Sequence, residues 1–169
     1  YELNARYGWS KFVIVVPSIA IREGVFKSFE SMAEHFAEEY GKRMQYFIYN
    51  SKQLAKIEAF ASDNNIHAMI INTQAFNVSL NEDKNKEGRA GDATARIIFS
   101  RRDDFGSRKP IDILAKTNPI MIIDEPQSVL GTDANNATRK GIKLFNPLFT
   151  LLYSCLLYTS PSPRDRTRS

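Results

Sequence analysis

Apolar residues fall into short unbroken runs separated by longer stretches in which they recur every three or four positions, and the two patterns alternate along the chain. Phe12-Val13-Ile14-Val15-Val16 is a continuous, β-branched run, the composition of a strand covered on both faces and hence of a parallel sheet. It stops at Pro17-Ser18. Ser18 suits the cap of a helix whose apolar residues Val25, Phe26, Phe29, Met32, Ala33, Phe36, Ala37 and Tyr40 form one stripe, with Gly41 as its stop. Met44 to Tyr49 reads as a second strand. A short helix follows, with Leu54, Ile57, Phe60 and Ala61 on one face and Asp63-Asn64-Asn65 as its terminator. His67-Ala68-Met69-Ile70-Ile71 is a third strand, ending at Asn72-Thr73-Gln74. This alternation predicts βαβ units and an α/β fold with a parallel sheet.

The same reading extends to both ends. Tyr1 to Tyr7 reads as the last turns of a helix stopped by Gly8, so the chain is expected to begin within an element. Residues 80–93, with mixed charge and two glycines, predict an exposed loop. Thr94 to Phe105 is expected to form a helix with Ile97, Ile98 and Phe99 turned inward, and Pro110 to Lys116 another with proline in its first turn. Ile120-Met121-Ile122-Ile123 is the central strand, and it runs straight into Asp124-Glu125 before Pro126 prevents its continuation. A helix around Ala137 to Phe145 and a last strand, Phe149 to Tyr153, bring the pattern to Ser154. No repeat or linker divides residues 1–154, which are read as one domain. From Cys155 the periodicity gives way to a Ser/Pro/Arg-rich stretch that resembles translated adaptor or vector sequence, so 155–169 are expected to be a non-native, disordered tail.

Composition narrows the classes without choosing among them. Over 169 residues the chain is 43% hydrophobic and 25% charged, as in an ordinary globular domain. No apolar run approaches the roughly 20 residues that span a bilayer, and the expected location is the cytoplasm. The single cysteine rules out an internal disulfide or a cysteine-ligated cluster. His35 and His67, on unrelated segments, read as helix-face or loop residues. The net charge of +4 hints at a polyanionic partner, but the arginines of the tail supply part of it.

The chemistry gathers at the strand ends. In an open α/β sheet ligands sit at the carboxyl ends of the strands, so Asp124 and Glu125 are placed for Mg²⁺ and water rather than for packing. Pro17-Ser18, Asn72-Thr73-Gln74 and Ser154 also follow apolar runs directly. Each could serve only as a cap or turn residue, yet together they would line one edge of one sheet.

Asp124-Glu125-Pro126-Gln127, within Asn-Pro-Ile-Met-Ile-Ile-Asp-Glu-Pro-Gln-Ser-Val, resembles motif II of the restriction (Res) subunit of type III restriction-modification enzymes, a branch of the superfamily 2 helicases with RecA-like motor domains. The stretch from Phe12 to Val25 resembles the family's motif Ia. Ile71 to Asn77 resembles its motif Ib region, and Leu151-Leu152-Tyr153-Ser154 the start of motif III. Asp103-Asp104-Phe105-Gly106 and Ala137-Thr138-Arg139-Lys140-Gly141 also fit its spacing. The resemblance covers residues 1 to 154 and implies a partial RecA-like domain of the P-loop NTPase type.

By that resemblance Asp124 would hold the Mg²⁺ of bound ATP, and Glu125 would orient or deprotonate the water attacking the γ-phosphate. Gln127 would contact the nucleotide or relay its state. Pro17, Ser18, Asn72, Thr73 and Gln74 would face DNA, while Tyr153 and Ser154 would couple hydrolysis to movement. The implied partners are double-stranded DNA and a methyltransferase subunit, with cleavage by a nuclease domain that these residues do not include. Departures are equally legible. No Gly-x-x-x-x-Gly-Lys-Ser/Thr loop occurs, so the isolated chain is expected to be inactive and truncated within the helix that follows such a loop, with apolar surface left exposed. Leu152 stands where the family has arginine, and Cys155 where it has alanine. The rival readings are a superfamily 2 DNA helicase without a nuclease, a non-catalytic nucleic-acid-binding domain, and a nuclease centre at Asp124 and Glu125; no lysine follows those acids closely enough to favour the last.

Overall fold

A computed structural model describes residues 1–50, 52–73, 97–99, 101, 103–131 and 137–154. Five strands, β1 (Lys11–Val16), β2 (Gln45–Ile48), β3 (His67–Asn72), β4 (Ile120–Asp124) and β5 (Thr150–Tyr153), pair in the order β2-β3-β1-β4-β5. Every pairing is parallel. Helices α1 (Glu2–Tyr7), α2 (Ile19–Tyr40), α3 (Leu54–Ser62), α4 (Pro110–Lys116), α5 (Pro126–Leu130) and α6 (Ala137–Leu144) complete an α/β fold consistent with a partial RecA-like domain.

The apolar runs explain why β1 and β3 lie inside the sheet. Val13 pairs with Met69 on one side and Met121 on the other, and Ile14 with Ile70 and Ile122. Alternate residues therefore serve opposite faces. Val13, Val15, Met69, Ile71, Met121 and Ile123 pack with Ile57 and Phe60 of α3, Leu114 of α4 and Phe145 at the end of α6. Phe12, Ile14, Val16, Ala68, Ile70 and Ile120 meet the half-buried Val25, Phe26 and Phe29 of α2. Fully buried side chains such as Phe60, Phe145 and Met121 each contribute about 1.5–3 kcal/mol relative to exposure.

The two faces are not equally tight. α2 has no fully buried residue, and a cavity of about 480 Å³ lies where Phe29, Phe36, Phe12 and Leu151 fail to meet.

Two Asn-Pro pairs deliver the chain into β4 and β5. Asn118 and Asn146 both take positive φ, 45° and 47°, a conformation asparagine tolerates better than most side chains. The Asn118 amide donates to the Asn146 carbonyl at 3.1 Å, and the Leu148 N–H donates to the Pro119 carbonyl at 3.1 Å.

Three expectations change. Among the described residues of 94–105 there are two 3₁₀ turns, Ile97–Phe99 and Asp103–Phe105, rather than one continuous helix. Asp103 and Asp104 would have stood in the last turn of that helix, where its dipole disfavours negative charge. Pro126 does more than end β4, because it opens α5 from the first helical position. His67 is neither loop nor helix-face: it starts β3 and is 4% exposed. The loop expected at 80–93 and the tail expected at 155–169 lie outside the described residues.

His67 belongs to a polar latch at the amino edge of the sheet. Its Nε2 lies 2.6 Å from Asp63 Oδ1; a carboxylate can only accept, so Nε2 carries the proton. The Lys11 ammonium donates to the Asp63 carbonyl at 2.7 Å and the Asn65 carbonyl at 3.2 Å, joining β1 to the turn before β3. Desolvation acts to raise the Asp63 carboxyl, but the bonds from His67 and Asn65 prevail and bring it down to about 2. A carboxyl depressed on folding stabilises the fold above its unfolded value, and that contribution is lost as pH falls through the folded value. Thermal melts of Asp63→Asn and the parent should therefore differ most near pH 5 and converge towards pH 2. A gap that stays constant with pH would rule out the carboxylate as the source of the stabilisation.

Candidate functional site at the carboxyl edge of the sheet

Parallel pairing puts the carboxyl ends of β3, β1, β4 and β5 side by side. Val16 pairs with Asn72 and Asp124 with Tyr153, while Val15 opposite Ile123 keeps β1 and β4 level. At about 4.8 Å per strand spacing the row from Thr73 to Ser154 spans roughly 15 Å.

The β3–β1 half is closed by its own bonds. Thr73 Oγ1 donates to the Pro17 carbonyl at 3.2 Å, tying the two strand ends together. Ser18, in extended backbone, caps α2 by accepting the Ile21 N–H at 3.3 Å. Its own hydroxyl proton is not used by that bond. Asn72 is buried as the last residue of β3. Gln74 lies outside the described residues.

The β4–β5 half is organised by a backbone irregularity. Glu125 has φ 50° and ψ 61°, the left-handed region, although it is not glycine. Its N–H still donates to the Tyr153 carbonyl at 2.8 Å, extending the ladder by one bond. Its carbonyl accepts from the N–H groups of Ser128 and Val129 at 2.8 and 3.1 Å, starting α5. One residue thus closes a strand and opens a helix, and the two-residue alternation of β4 ends there.

The side chains follow from that turn. Gln127, one position beyond Pro126, donates through Nε2 to Glu125 Oε2. Ser154 Oγ donates to Gln127 Oε1 at 3.3 Å, so β5 is linked to Glu125 through one amide. Asp124 is half-buried, and its carboxylate has no hydrogen-bond or ion-pair partner among the described residues. Tyr153 is 57% exposed and turns towards the apolar cavity with Leu151.

The structure therefore brings Asp124, Glu125, Gln127, Tyr153 and Ser154 into one neighbourhood and Pro17, Ser18, Asn72 and Thr73 into the adjoining one. Sequence reasoning missed Arg139. Its guanidinium donates to the Leu130 and Gly131 carbonyls, both at 3.1 Å, and so satisfies the carboxyl end of α5. Basic residues in an amphipathic segment carry no mark of that role. The missed signal for α5 was the Glu-Pro step, since proline is favoured at the first position of a helix.

Among the described residues no group of three or more His, Cys, Asp or Glu gathers. A Mg²⁺ ion, which keeps most of its waters, needs only one or two carboxylates. The half-buried Asp124 offers one. The 480 Å³ cavity is a different place, apolar and lined by none of these residues except Tyr153.

No protein-family model matches the chain. Over 90% of its length, in an alignment of 170 residues, it is 25% identical to the Res subunit of the type III restriction-modification enzyme EcoP15I of Escherichia coli. It is 24% identical over 165 residues to the EcoPI Res subunit of Escherichia phage P1. Over 145 residues, 75% of the chain, it is 30% identical to the StyLTI Res subunit of Salmonella typhimurium. The matched region spans 16%, 16% and 13% of those relatives. The chain is thus similar to one segment of type III Res subunits.

A left-handed, non-glycine residue costs roughly 1–2 kcal/mol. Glu125→Gly should therefore raise the denaturant midpoint of the chain, with a gain of up to about 1 kcal/mol after loss of the exposed Gln127 bond. Glu125→Gln should leave the midpoint unchanged. A lower midpoint for the glycine variant would mean that the Glu125 side chain holds the turn, not the reverse.

Proposed function

We propose that these residues form part of the first motor domain of a Res-type subunit that hydrolyses ATP with Mg²⁺ to act on double-stranded DNA, in concert with a methyltransferase subunit in the cytoplasm. The observation that carries the reading is the pair at the end of β4. Asp124 presents a carboxylate with no protein partner among the described residues, while its neighbour Glu125 is held by Gln127. Two adjacent acids with different environments suit two different tasks.

In this reading Asp124 binds the hydrated Mg²⁺ of MgATP, which supplies charge neutralisation on the phosphates when bound. Glu125 accepts a proton from, or orients, the attacking water, which needs a carboxylate within hydrogen-bond reach. Gln127 limits where that carboxylate can point. Ser154, bonded to the same amide, would transmit a change at Glu125 to β5. The opposite half of the edge faces DNA. There Ser18 can donate its free hydroxyl proton, and the start of the 22-residue α2 offers backbone N–H groups to a phosphate. Thr73 cannot donate in the same way while its proton is held by Pro17.

The chain contains no phosphate-binding loop sequence, so alone it should release no phosphate from ATP with DNA and Mg²⁺. In a protein that joins this segment to such a loop, Glu125→Gln should slow hydrolysis by about 10²–10⁴-fold while MgATP still binds. Asp124→Ala should weaken Mg²⁺-dependent nucleotide binding itself. Hydrolysis that survives Glu125→Gln would remove Glu125 from the chemistry, whereas a parent that binds DNA and hydrolyses no ATP would favour a nucleic-acid-binding domain without catalysis.

A further inference from the structure

The outer surface of α4 carries a concavity that the carboxyl edge does not use. Arg101, Ser107, Arg108, Lys109, Asp112 and Lys116, with Ile113 at its wall, line a hollow of about 270 Å³. Four cations surround it against one carboxylate. Arg101, Lys109 and Lys116 make no ion pair among the described residues. Arg108 is the fixed member: its guanidinium lies 4.9 Å from the centre of the Phe105 ring, and its Nε donates to the Phe105 carbonyl at 3.1 Å. Glu58 of α3 holds it from the far side at 2.9 Å.

The charge is one-sided across the sheet. On the opposite face α2 carries Arg22 and Lys27 against Glu23, Glu30, Glu34, Glu38 and Glu39. On the α4 face α6, which packs beside α4, adds exposed Lys140 and Lys143. Uncompensated cations that converge on a hollow repel one another, and an anion relieves that repulsion.

Shape selects among anions. Lys109, the N-cap of α4, and Lys116 at its last turn are seven residues apart, about 10 Å by helical rise, a separation that reaches two to three successive phosphates of one nucleic-acid strand. A single phosphate would leave most of the row unpaired, and the fixed guanidinium of Arg108 suits a phosphate oxygen better than a mobile ammonium would.

We infer that this face of α4 is a second contact for the phosphate backbone of nucleic acid, separate from the carboxyl edge and independent of ATP hydrolysis there. It contributes affinity without sequence preference, as phosphate contacts do.

The test is fluorescence anisotropy of the full 169-residue chain against a labelled random-sequence duplex, titrated at several salt concentrations. Lys109→Ala/Lys116→Ala should weaken binding about tenfold and reduce the slope of log Kd against log salt by about 2, since each phosphate neutralised contributes about 0.9. Melting temperature should match the parent, because neither ammonium makes an ion pair among the described residues. Lys27→Ala, on the acidic face, should leave both quantities unchanged. The inference is overturned if the parent does not bind the duplex, if the double variant binds like the parent, or if Lys27→Ala costs as much. It is also overturned if polyglutamate displaces the duplex as well per charge as unlabelled duplex does, since the hollow would then accept any acidic chain. The anisotropy titration contains no ATP, and hydrolysis is read separately by phosphate release, so failure here and failure of the hydrolytic reading are separable.

Discussion

Parallel pairing of β1 with β3 on one side and β4 on the other is the constraint from which the rest follows. It requires helices on both faces, because no parallel strand can return by a tight turn, and it requires strands apolar on both sides. Val13 to Val16 and His67 to Ile71 meet that demand with buried residues at every position. It also sends every strand end with chemistry to the same edge. A shift of one residue between β1 and β4 would exchange Met121 and Ile123 for Ile120 and Ile122 on each face and carry Asp124 to the other side. The position of the acids is therefore fixed by core packing well below them.

What the core cannot do is make Asp124 and Glu125 different, since adjacent strand residues simply alternate. The left-handed turn at Glu125 supplies the difference. Its N–H remains in the ladder with Tyr153 while its carbonyl begins α5, so the residue is held from both sides in a conformation it would otherwise avoid. Pro126 then fixes the first helical φ, and Arg139 of α6 secures the far end of the short helix. Gln127 is left aimed at Glu125 and at Ser154. A five-residue helix makes few hydrogen bonds of its own, so these anchors at its two ends stand in for length.

The strands were legible because parallel-sheet strands are the strongest apolar signal a short sequence can carry. Their alignment followed from one rule about carboxyl edges, and Ser18 and Gly41 marked the ends of α2 for local reasons of capping. The misreadings share a different cause. Whether Thr94 to Phe105 coils into one helix depends on charges near its end, and His67 is buried because Asp63 and Lys11, from other segments, satisfy what would otherwise be a polar group in the core. The 270 Å³ hollow is made by Arg101 and Arg108, one on each side of the turn Asp103–Phe105, and by Lys109 and Lys116 at the two ends of α4. No period or motif in the chain announces that meeting.

The division of the carboxyl edge also bears on how each half can vary. On the β4–β5 side the proposed chemistry rests in side chains: a carboxylate without a protein partner among the described residues, and another steered by an amide. Replacing either changes what the site can do. On the β3–β1 side the Thr73 hydroxyl is spent on Pro17 and the Ser18 oxygen on the cap of α2. In the proposed reading the donors towards a phosphate there are mainly backbone N–H groups, to which Ser18 adds a hydroxyl proton. Such donors are present for any residue but proline, provided that the capped turn keeps its shape. The α4 face differs from both, because its cations act through charge and tolerate displacement of a few ångströms. Geometry should therefore matter most beside Asp124 and least around Lys109 and Lys116, with the capped start of α2 between them.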